Sequence, residues 1–264
     1  MRIRRAAAIH RQNGSVGLLK KGFTHLYNRL VRPWLPVRGP HPEFNGIAVG
    51  GALGPDSRAP HLFDSVVPWS TPAIHSMPDY EVELLAAIES QVDPGDKVVI
   101  VGGGNGISTV RAAQLAGPDG HVLTYEGNRR RVSAIQNTAA LNDVADRVQV
   151  EHAIVGPPKE IVGNDYEADG ATHIEPATIP PCNVLEMDCE GSEREIIRDL
   201  KITPQIIIVE THPAYDTPVT TISTELADLG YTVVNTAGAV PAEDIYILTA
   251  ERMPVTDVGS DHSL

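Results

Sequence analysis

Short apolar runs alternate with amphipathic stretches along the chain from residue 79 onward. The apolar runs predict strands covered on both faces, and apolar positions three or four residues apart predict the helices between them. The predicted strands lie at 97–101, 121–126, 147–153, 183–187, 205–210, 231–235 and 244–249. The first predicted helix has Asp79 as its N-cap and ends at Asp93. The other predicted helices lie at 106–116, 129–141, 192–200 and 219–229.

This order of elements predicts a doubly wound α/β domain at 79–252, a mostly parallel sheet with helices on both faces. The last two strands leave no room for a helix between them, so we expect an antiparallel pair there. Residues 155–181 contain many Pro and Gly residues and no periodic pattern. Long connections of this kind are often functional, and we expect this one to shape a ligand pocket.

The segment before this domain has a different pattern. Apolar residues at 15–34 recur at helical spacing with Lys and Arg between them, which predicts an amphipathic helix within a basic arm at 1–38. Its apolar stripe could pack against the domain, or it could make a peripheral contact with an anionic membrane surface. Residues 39–78 predict a lead-in rich in Pro and Gly, and 253–264 predict a flexible tail.

Charge is divided unevenly between the arm and the domain. The 264 residues include 34 acidic and 21 basic side chains, for a net charge of −13. The arm has nine basic residues and no acid, which leaves twelve basic against 34 acidic residues in 39–264, a balance of −22. A surface that acidic argues against a nucleic-acid partner. Few Lys residues and only 5% aromatic residues also favour a halophilic protein, suited to a high-salt cytoplasm.

The chain has two cysteines, Cys182 and Cys189, seven residues apart near one predicted strand. An odd spacing points two side chains to opposite faces, so we expect no disulfide and a reducing, cytoplasmic location. No apolar run is long enough to span a membrane, and the N-terminal apolar run is too short for a signal peptide.

Chemically informative residues follow the carboxyl ends of the predicted strands, where ligands of such sheets bind. The first strand leads into a glycine loop, and the second ends in Glu126, an acid placed to bind ribose hydroxyls. The dinucleotide pattern would need a glycine at Ile107, so the spacing favours S-adenosylmethionine (SAM) over a nicotinamide or flavin cofactor. The predicted cofactor-binding residues are Gly102, Gly103, Gly104, Asn105, Gly106, Glu126, Gly127 and Asp188.

The stretches 98–106, 122–126, 184–193, 207–212 and 229–231 resemble the FkbM family of SAM-dependent methyltransferases. The most specific of them reads Asp-Cys-Glu-Gly-Ser-Glu, and this family typically carries Asp-x-Glu-Gly-x-Glu after its fourth strand. The resemblance implies a Rossmann-like class I methyltransferase fold with a seven-stranded sheet of order 3-2-1-4-5-7-6, its last strand antiparallel. It also implies SAM as methyl donor and a hydroxyl oxygen as acceptor.

Two positions depart from the family pattern. The family commonly has Asp where Ile100 stands and Pro where Gly127 stands. Losing that Asp removes a polar contact near the methionine end of SAM. We expect Asp188 to replace it, because the fourth strand of the sheet lies beside the first.

At the ends of the adjacent strands 183–187 and 205–210 the sequence has a polar cluster of Asp188, Glu190, Glu193, Glu210 and His212. Methyl transfer to a hydroxyl needs in-line alignment and removal of a proton, and the predicted catalytic residues are Asp188, Glu190 and His212. Glu190 and Glu193 could instead stabilise the start of the next helix, and His212 could orient its loop. The same side chains could hold Mg²⁺, but the resemblance does not require a metal and no metal ligand is assigned.

The sequence therefore predicts a cytoplasmic SAM-dependent methyltransferase that acts on a hydroxyl of a small molecule, sugar or other glycan, or lipid-linked acceptor. Two alternatives remain open. One is an NAD(P)-dependent oxidoreductase on the same kind of sheet, and the other is a SAM-binding or membrane-docking module without catalytic activity.

Overall fold

The computed structural model describes residues 23, 26–35, 40–51, 76–156 and 170–253. Parts of the predicted arm, lead-in and long connection, and nearly all of the predicted tail, lie outside these residues. The division of the chain at 38, 78 and 252 therefore stays a prediction.

The described residues form a short hairpin followed by a large sheet. The hairpin pairs β1 (Glu43–Phe44) with β2 (Ile47–Ala48). The sheet strands are β3 (Lys97–Val101), β4 (His121–Glu126), β5 (Val148–Val155), β6 (Thr172–Ile174), β7 (Val184–Met187), β8 (Ile206–Glu210), β9 (Tyr231–Val240) and β10 (Ile245–Arg252). Their order is β6-β5-β4-β3-β7-β8-β10-β9, and β10 is antiparallel to both of its neighbours.

The predicted strand order is confirmed, with one strand added at the edge. Counted from β3, the sequence β5-β4-β3-β7-β8-β10-β9 is the expected 3-2-1-4-5-7-6. The expected total of seven strands is wrong, because β6 pairs in parallel with the end of β5. Thr172 and His173 of this short edge strand are polar and exposed. The sequence therefore has no apolar run there that would indicate a strand.

Five helices cover the two faces of the sheet in the described part of the chain. They are α1 (Val82–Gln91), α2 (Ile107–Ala116), α3 (Arg129–Leu141), α4 (Glu193–Asp199) and α5 (Val219–Asp228). One core holds Val98 and Ile100 of β3 against α1 and α2. The other holds Val99 and Val101 of the same strand together with α4 and α5. This alternation confirms a doubly wound domain.

The start of α1 differs from the prediction. Asp79 was expected to cap this helix, but it lies in a turn and the helix begins at Val82. The cap position is occupied by Glu81, whose backbone is left-handed (φ 47°) and whose side chain makes no capping hydrogen bond. A left-handed backbone is uncommon outside glycine, and here it turns the chain sharply into the helix.

The described part of the basic arm forms a helical turn at Tyr27–Val31 and a second turn at Arg32–Trp34. Tyr27 is buried, whereas Leu30 is exposed and Trp34 keeps 86% of its surface accessible. Among the described residues, no helix combines the length and apolar character needed to cross a bilayer. Both cysteines are free thiols.

Candidate active site

The glycine loop between β3 and α2 touches the end of β7 and leaves open space above it. A Cβ atom at Gly102 (φ 98°) would collide with the main-chain carbonyl oxygen of Asp188. A Cβ atom at Gly104 (φ 54°) would meet nothing within 4 Å. Glycine is therefore needed at the first position for close packing, and at the second it leaves room for a ligand to approach the backbone.

Glu126 joins this loop to the end of β4. Its side chain is only 3% exposed, and its two carboxylate oxygens accept hydrogen bonds from the backbone N–H groups of Gly104 (3.1 Å) and Asn128 (2.7 Å). Burial raises the pKa of Glu126, while these two hydrogen bonds oppose the shift. The carboxylate is thus held in one position by main-chain donors.

The other predicted cofactor residues have three different surroundings. Gly103 and Gly106 face α3, where a Cβ atom on either would press against Ile135. Asn105 interacts with the side chain of Tyr80. Gly127 is buried, and its carbonyl oxygen lies 3.1 Å from Nε2 of His152. The structure therefore gives Gly103 and Gly106 packing positions and places Gly127 beside Glu126.

A solvent-open cleft lies at the carboxyl ends of β3, β4 and β7. Five of the predicted site residues line it: Gly102, Glu126, Gly127, Asp188 and Glu190. Arg131, in the first turn of α3, lines the cleft as well. The predicted glycine loop, ribose acid and polar cluster thus meet in one place.

The ring of His212 lies at the centre of the polar cluster, just beyond the end of β8. It is 8% exposed, and its Nδ1 atom lies 3.2 Å from Oε1 of Glu193. Its Nε2 atom lies 3.4 Å from Oδ1 of Asp188 and 3.7 Å from Oε1 of Glu210. Of the three predicted catalytic residues, the structure therefore brings Asp188 and His212 together, whereas Glu190 is not among the described contacts of this ring.

Glu193 contacts both the His212 ring and the turn that leads into α4. It begins α4, is 0% exposed, and accepts hydrogen bonds from the backbone N–H groups of Cys189 (3.1 Å) and Gly191 (2.7 Å). Burial alone would raise the pKa of Glu193, yet its bonds with His212 and these donors lower it. Glu193 is therefore a structural carboxylate that fixes both the turn before α4 and the imidazole ring.

Crowded negative charge shifts the other pKa values in the cluster. Burial raises the pKa of Asp188 to about 6 and that of Glu210 to about 8, despite the opposing effect of His212. Burial disfavours the charged form of His212, but Glu193, Asp188 and Glu210 together raise its pKa to about 9. Its imidazole is thus charged near neutral pH, which makes His212 a poor general base there.

Glu186 is a functional candidate that the sequence pattern concealed. It lies inside the apolar strand β7, is 1% exposed, and in the described part of the chain neither of its carboxylate oxygens has a hydrogen-bond partner. In the sheet register it pairs with Ile100. Glu186 is therefore the carboxylate nearest to Ile100 in the register, and the predicted compensating role of Asp188 stays a prediction. A single acid in a fully buried strand was the available signal.

Glu81 is a second candidate that was missed, because its approach to the cluster depends on the unexpected turn before α1. Burial raises its pKa to about 7, and the negative charge of Asp188 acts in the same direction. The charge of Arg131 opposes this shift and also lowers the pKa of Asp188. Local sequence offered no sign that residues so far apart in the chain share one electrostatic environment.

The strand order and the strand-to-helix glycine loop define a Rossmann-like α/β fold of the class I methyltransferase type. The ribosomal protein L11 methyltransferase of Exiguobacterium sibiricum is 27% identical to this chain over 135 residues, which are 48% of this chain and 42% of that protein. The chain therefore matches less than half the length of this curated relative. No family model matches the chain.

Many solved structures are similar to the chain, and two of them illustrate the likeness. The ribosomal protein L11 methylase of Lactobacillus delbrueckii subsp. bulgaricus has 17% identity and a TM-score of 0.47, covering 66% of this chain and 79% of that one. A SAM-dependent O-methyltransferase of Thermotoga maritima has 15% identity and a TM-score of 0.44, covering 74% of this chain and 72% of that one.

Proposed function

We propose that this protein transfers a methyl group from SAM to a hydroxyl oxygen, as the resemblance to the FkbM family implies. The observation that supports the proposal is the cleft, which brings Gly102, Glu126, Asp188 and Glu190 together at the carboxyl ends of neighbouring strands. Ligands of doubly wound sheets bind at this edge. The curated relative, also a methyltransferase, supports the same class of reaction.

In this proposal Glu126 binds the ribose of SAM. Each of its oxygens accepts one backbone N–H bond, and a carboxylate oxygen has a further lone pair for a ribose hydroxyl. The open space at Gly104 lets the methionine part of SAM approach the loop. Asp188 then faces the sulfonium, whose positive charge its carboxylate stabilises.

The methyl carbon passes from the sulfur of SAM to the acceptor oxygen, and the acceptor hydroxyl gives up its proton. Alignment supplies most of the rate, and a base within hydrogen-bond reach supplies the rest. Glu190, half-buried on the cleft wall, is the proposed base. His212 is charged near neutral pH, so its proposed role is to position Asp188, which lies 3.4 Å from its Nε2 atom.

Calorimetry with SAM and S-adenosylhomocysteine tests the cofactor. Glu126→Ala should weaken SAM binding by about 1–3 kcal/mol, because the two hydrogen bonds that the ribose hydroxyls donate to this buried carboxylate are lost. Glu251→Ala, which changes an exposed carboxylate at the far end of β10, should bind SAM like the wild type. Binding of NADH without binding of SAM would replace this proposal with the oxidoreductase alternative.

Labelled SAM and a fractionated cell extract test the acceptor. We expect label in a small molecule, a glycan or a lipid-linked sugar, and loss of transfer in Glu190→Gln. Label confined to ribosomal protein would show instead that the acceptor class is that of the curated relative. Label confined to RNA would contradict the expectation, drawn from the acidic domain, that no nucleic acid is bound.

The acidic excess also supports a high-salt cytoplasm as the location of this protein. A balance of −22 over 39–264 keeps a protein soluble in concentrated salt but repels itself in dilute buffer. Thermal stability should therefore rise into molar KCl. Full stability in dilute buffer, with no further rise on addition of KCl, would contradict this proposal.

A further inference from the structure

The space between Asp188, Glu210 and His212 has the geometry of a metal site. One ligand atom from each residue lies within 4.8 Å of the other two. We propose that these three side chains bind a divalent metal cation at the edge of the cleft. The site follows from the geometry alone, and the part of the cation in methyl transfer rests on the proposed function.

The distances within this set fit ligands of one ion better than they fit direct hydrogen bonds. Nε2 of His212 lies 3.4 Å from the Asp188 carboxylate and 3.7 Å from the Glu210 carboxylate. Charge-assisted hydrogen bonds between such groups are about 2.7–2.9 Å long. Neighbouring ligands of an octahedral ion with bonds of about 2.1 Å lie about 3 Å apart, so small side-chain shifts would complete the site.

Glu186 provides an independent reason to expect positive charge here. Its carboxyl group is 1% exposed and has no hydrogen-bond partner within the described residues. It lies two residues before Asp188 along the extended chain, so both side chains point to the same side of the sheet. A buried acid without a partner is costly, and a cation bound among its neighbours would offset that cost.

The second nitrogen of His212 has the partner that metal-binding histidines use. Its Nδ1 atom lies 3.2 Å from Oε1 of Glu193, which two backbone N–H groups hold in place. A metal ion that binds Nε2 displaces the proton of the charged ring, and the carboxylate on Nδ1 then holds the tautomer whose Nε2 lone pair points toward the other two ligands. Glu193 is therefore a positioning residue for this site, since it orients the imidazole without reaching the ion.

The donor set also indicates which ions would bind. Carboxylate oxygens suit Mg²⁺ and Mn²⁺, whereas imidazole nitrogen suits the transition metals, so Mn²⁺ satisfies both preferences. Three protein ligands leave coordination positions for water or for another oxygen. Because Asp188 lines the cleft, those positions can face the acceptor, whose hydroxyl oxygen the ion would hold and polarise.

Mn²⁺ binding to the full chain, after treatment with chelator, tests the site without SAM or acceptor. The electron paramagnetic resonance signal of free Mn²⁺ should fall until one equivalent is bound. Asp188→Asn and Glu210→Gln should each weaken binding at least about tenfold. Glu251→Gln makes the same change of charge at the opposite end of the sheet and should bind like the wild type.

Two further measurements exclude trivial explanations. Circular dichroism shows whether each variant is folded, and Mn²⁺ should raise the thermal midpoint of the wild type and of Glu251→Gln but not of Glu210→Gln. Glu193→Gln should stay folded and bind Mn²⁺ more weakly. Absence of one-to-one binding in the wild type, or equal binding in Asp188→Asn and Glu210→Gln, would overturn the proposed site.

The same protein distinguishes this proposal from the proposed function. Calorimetry with SAM is carried out with and without Mn²⁺. SAM binding without Mn²⁺ binding removes the cation site and leaves the methyltransferase proposal standing. Mn²⁺ binding without SAM binding supports the site and contradicts the proposed reaction.

Discussion

Two buried glutamates on either side of the cleft differ in their surroundings. Glu126 is 3% exposed, and each of its oxygens accepts a backbone N–H bond. Glu186 is 1% exposed, and neither of its oxygens has a hydrogen-bond partner in the described part of the chain. On the glycine-loop side, main-chain donors therefore satisfy the buried carboxylate. On the β7–β8 side, several acidic side chains lie close together, and a bound cation would stabilise them.

Gly102 joins these two sides, because it packs directly against the backbone of Asp188. Gly102→Ala should lower the free energy of unfolding by about 2–5 kcal/mol, since the new Cβ atom collides with the Asp188 carbonyl and the backbone is left-handed. The measurement is urea denaturation of the ligand-free protein.

Gly95→Ala is the matched control for this change. Gly95 has a similar backbone (φ 91°), but a Cβ atom there would meet nothing within 4 Å. Its substitution should cost only about 1 kcal/mol, the penalty of the left-handed backbone alone. Equal losses in the two variants would show that the contact with Asp188 is not what requires glycine at 102.

The same substitution at the two glutamates should have opposite effects. In chelated protein, Glu126→Gln should lower the free energy of unfolding by about 1–2 kcal/mol, because an amide nitrogen then faces a backbone N–H donor. Glu186→Gln should raise it by about 1–3 kcal/mol, because a neutral amide replaces an acid that has no partner. Urea denaturation of both variants beside the wild type measures the two effects.

The proposed cation site predicts that Mn²⁺ changes the effect of Glu186→Gln on stability but not that of Glu126→Gln. With saturating Mn²⁺, the advantage of Glu186→Gln should shrink, since the ion compensates the carboxylate in the wild type. Glu126→Gln should show the same loss with and without Mn²⁺. A destabilised Glu186→Gln variant in chelated protein would indicate that this carboxyl group already has a favourable partner.

The side of the cleft built by local structure could be predicted from the sequence. The strand at 121–126 and the helix at 129–141 have the predicted bounds, because apolar runs and turn residues define them locally. Glu126 was found for the same reason, as the last residue of a strand that follows a glycine loop. The glycine spacing and the strand that follows it were sufficient to predict the loop and the position of Glu126, because both are local features of the sequence.

The charged side depends on contacts between distant parts of the chain. The register that pairs Ile100 with Glu186 links residues 86 positions apart, and no local pattern specifies it. Glu81 enters the cluster through a left-handed turn that propensity did not indicate, since Asp79 has the more usual capping residue type. The short strand β6 likewise exists through its pairing with β5.

The smallest expected effect lies in the scaffold on the Glu126 side. Asn128 is the N-cap residue of α3, and its Oδ1 atom accepts hydrogen bonds from the backbone N–H groups of Arg130 (2.9 Å) and Arg131 (3.3 Å). Asn128→Ala should cost about 1 kcal/mol of unfolding free energy, the usual value of such a cap. Because the backbone N–H of residue 128 still bonds Glu126, SAM affinity should change less than about threefold.

Ser133→Ala, within the same helix, is the control for this last prediction. Its hydroxyl bonds only weakly to the carbonyl of Arg129 (3.4 Å), and alanine is the better helix former, so stability should stay equal or rise slightly. A tenfold loss of SAM affinity in Asn128→Ala would mean that the cap, and with it the position of Arg131 at the cleft, is part of cofactor binding. An unchanged affinity would leave cofactor binding on this side to the Glu126 carboxylate and its main-chain donors.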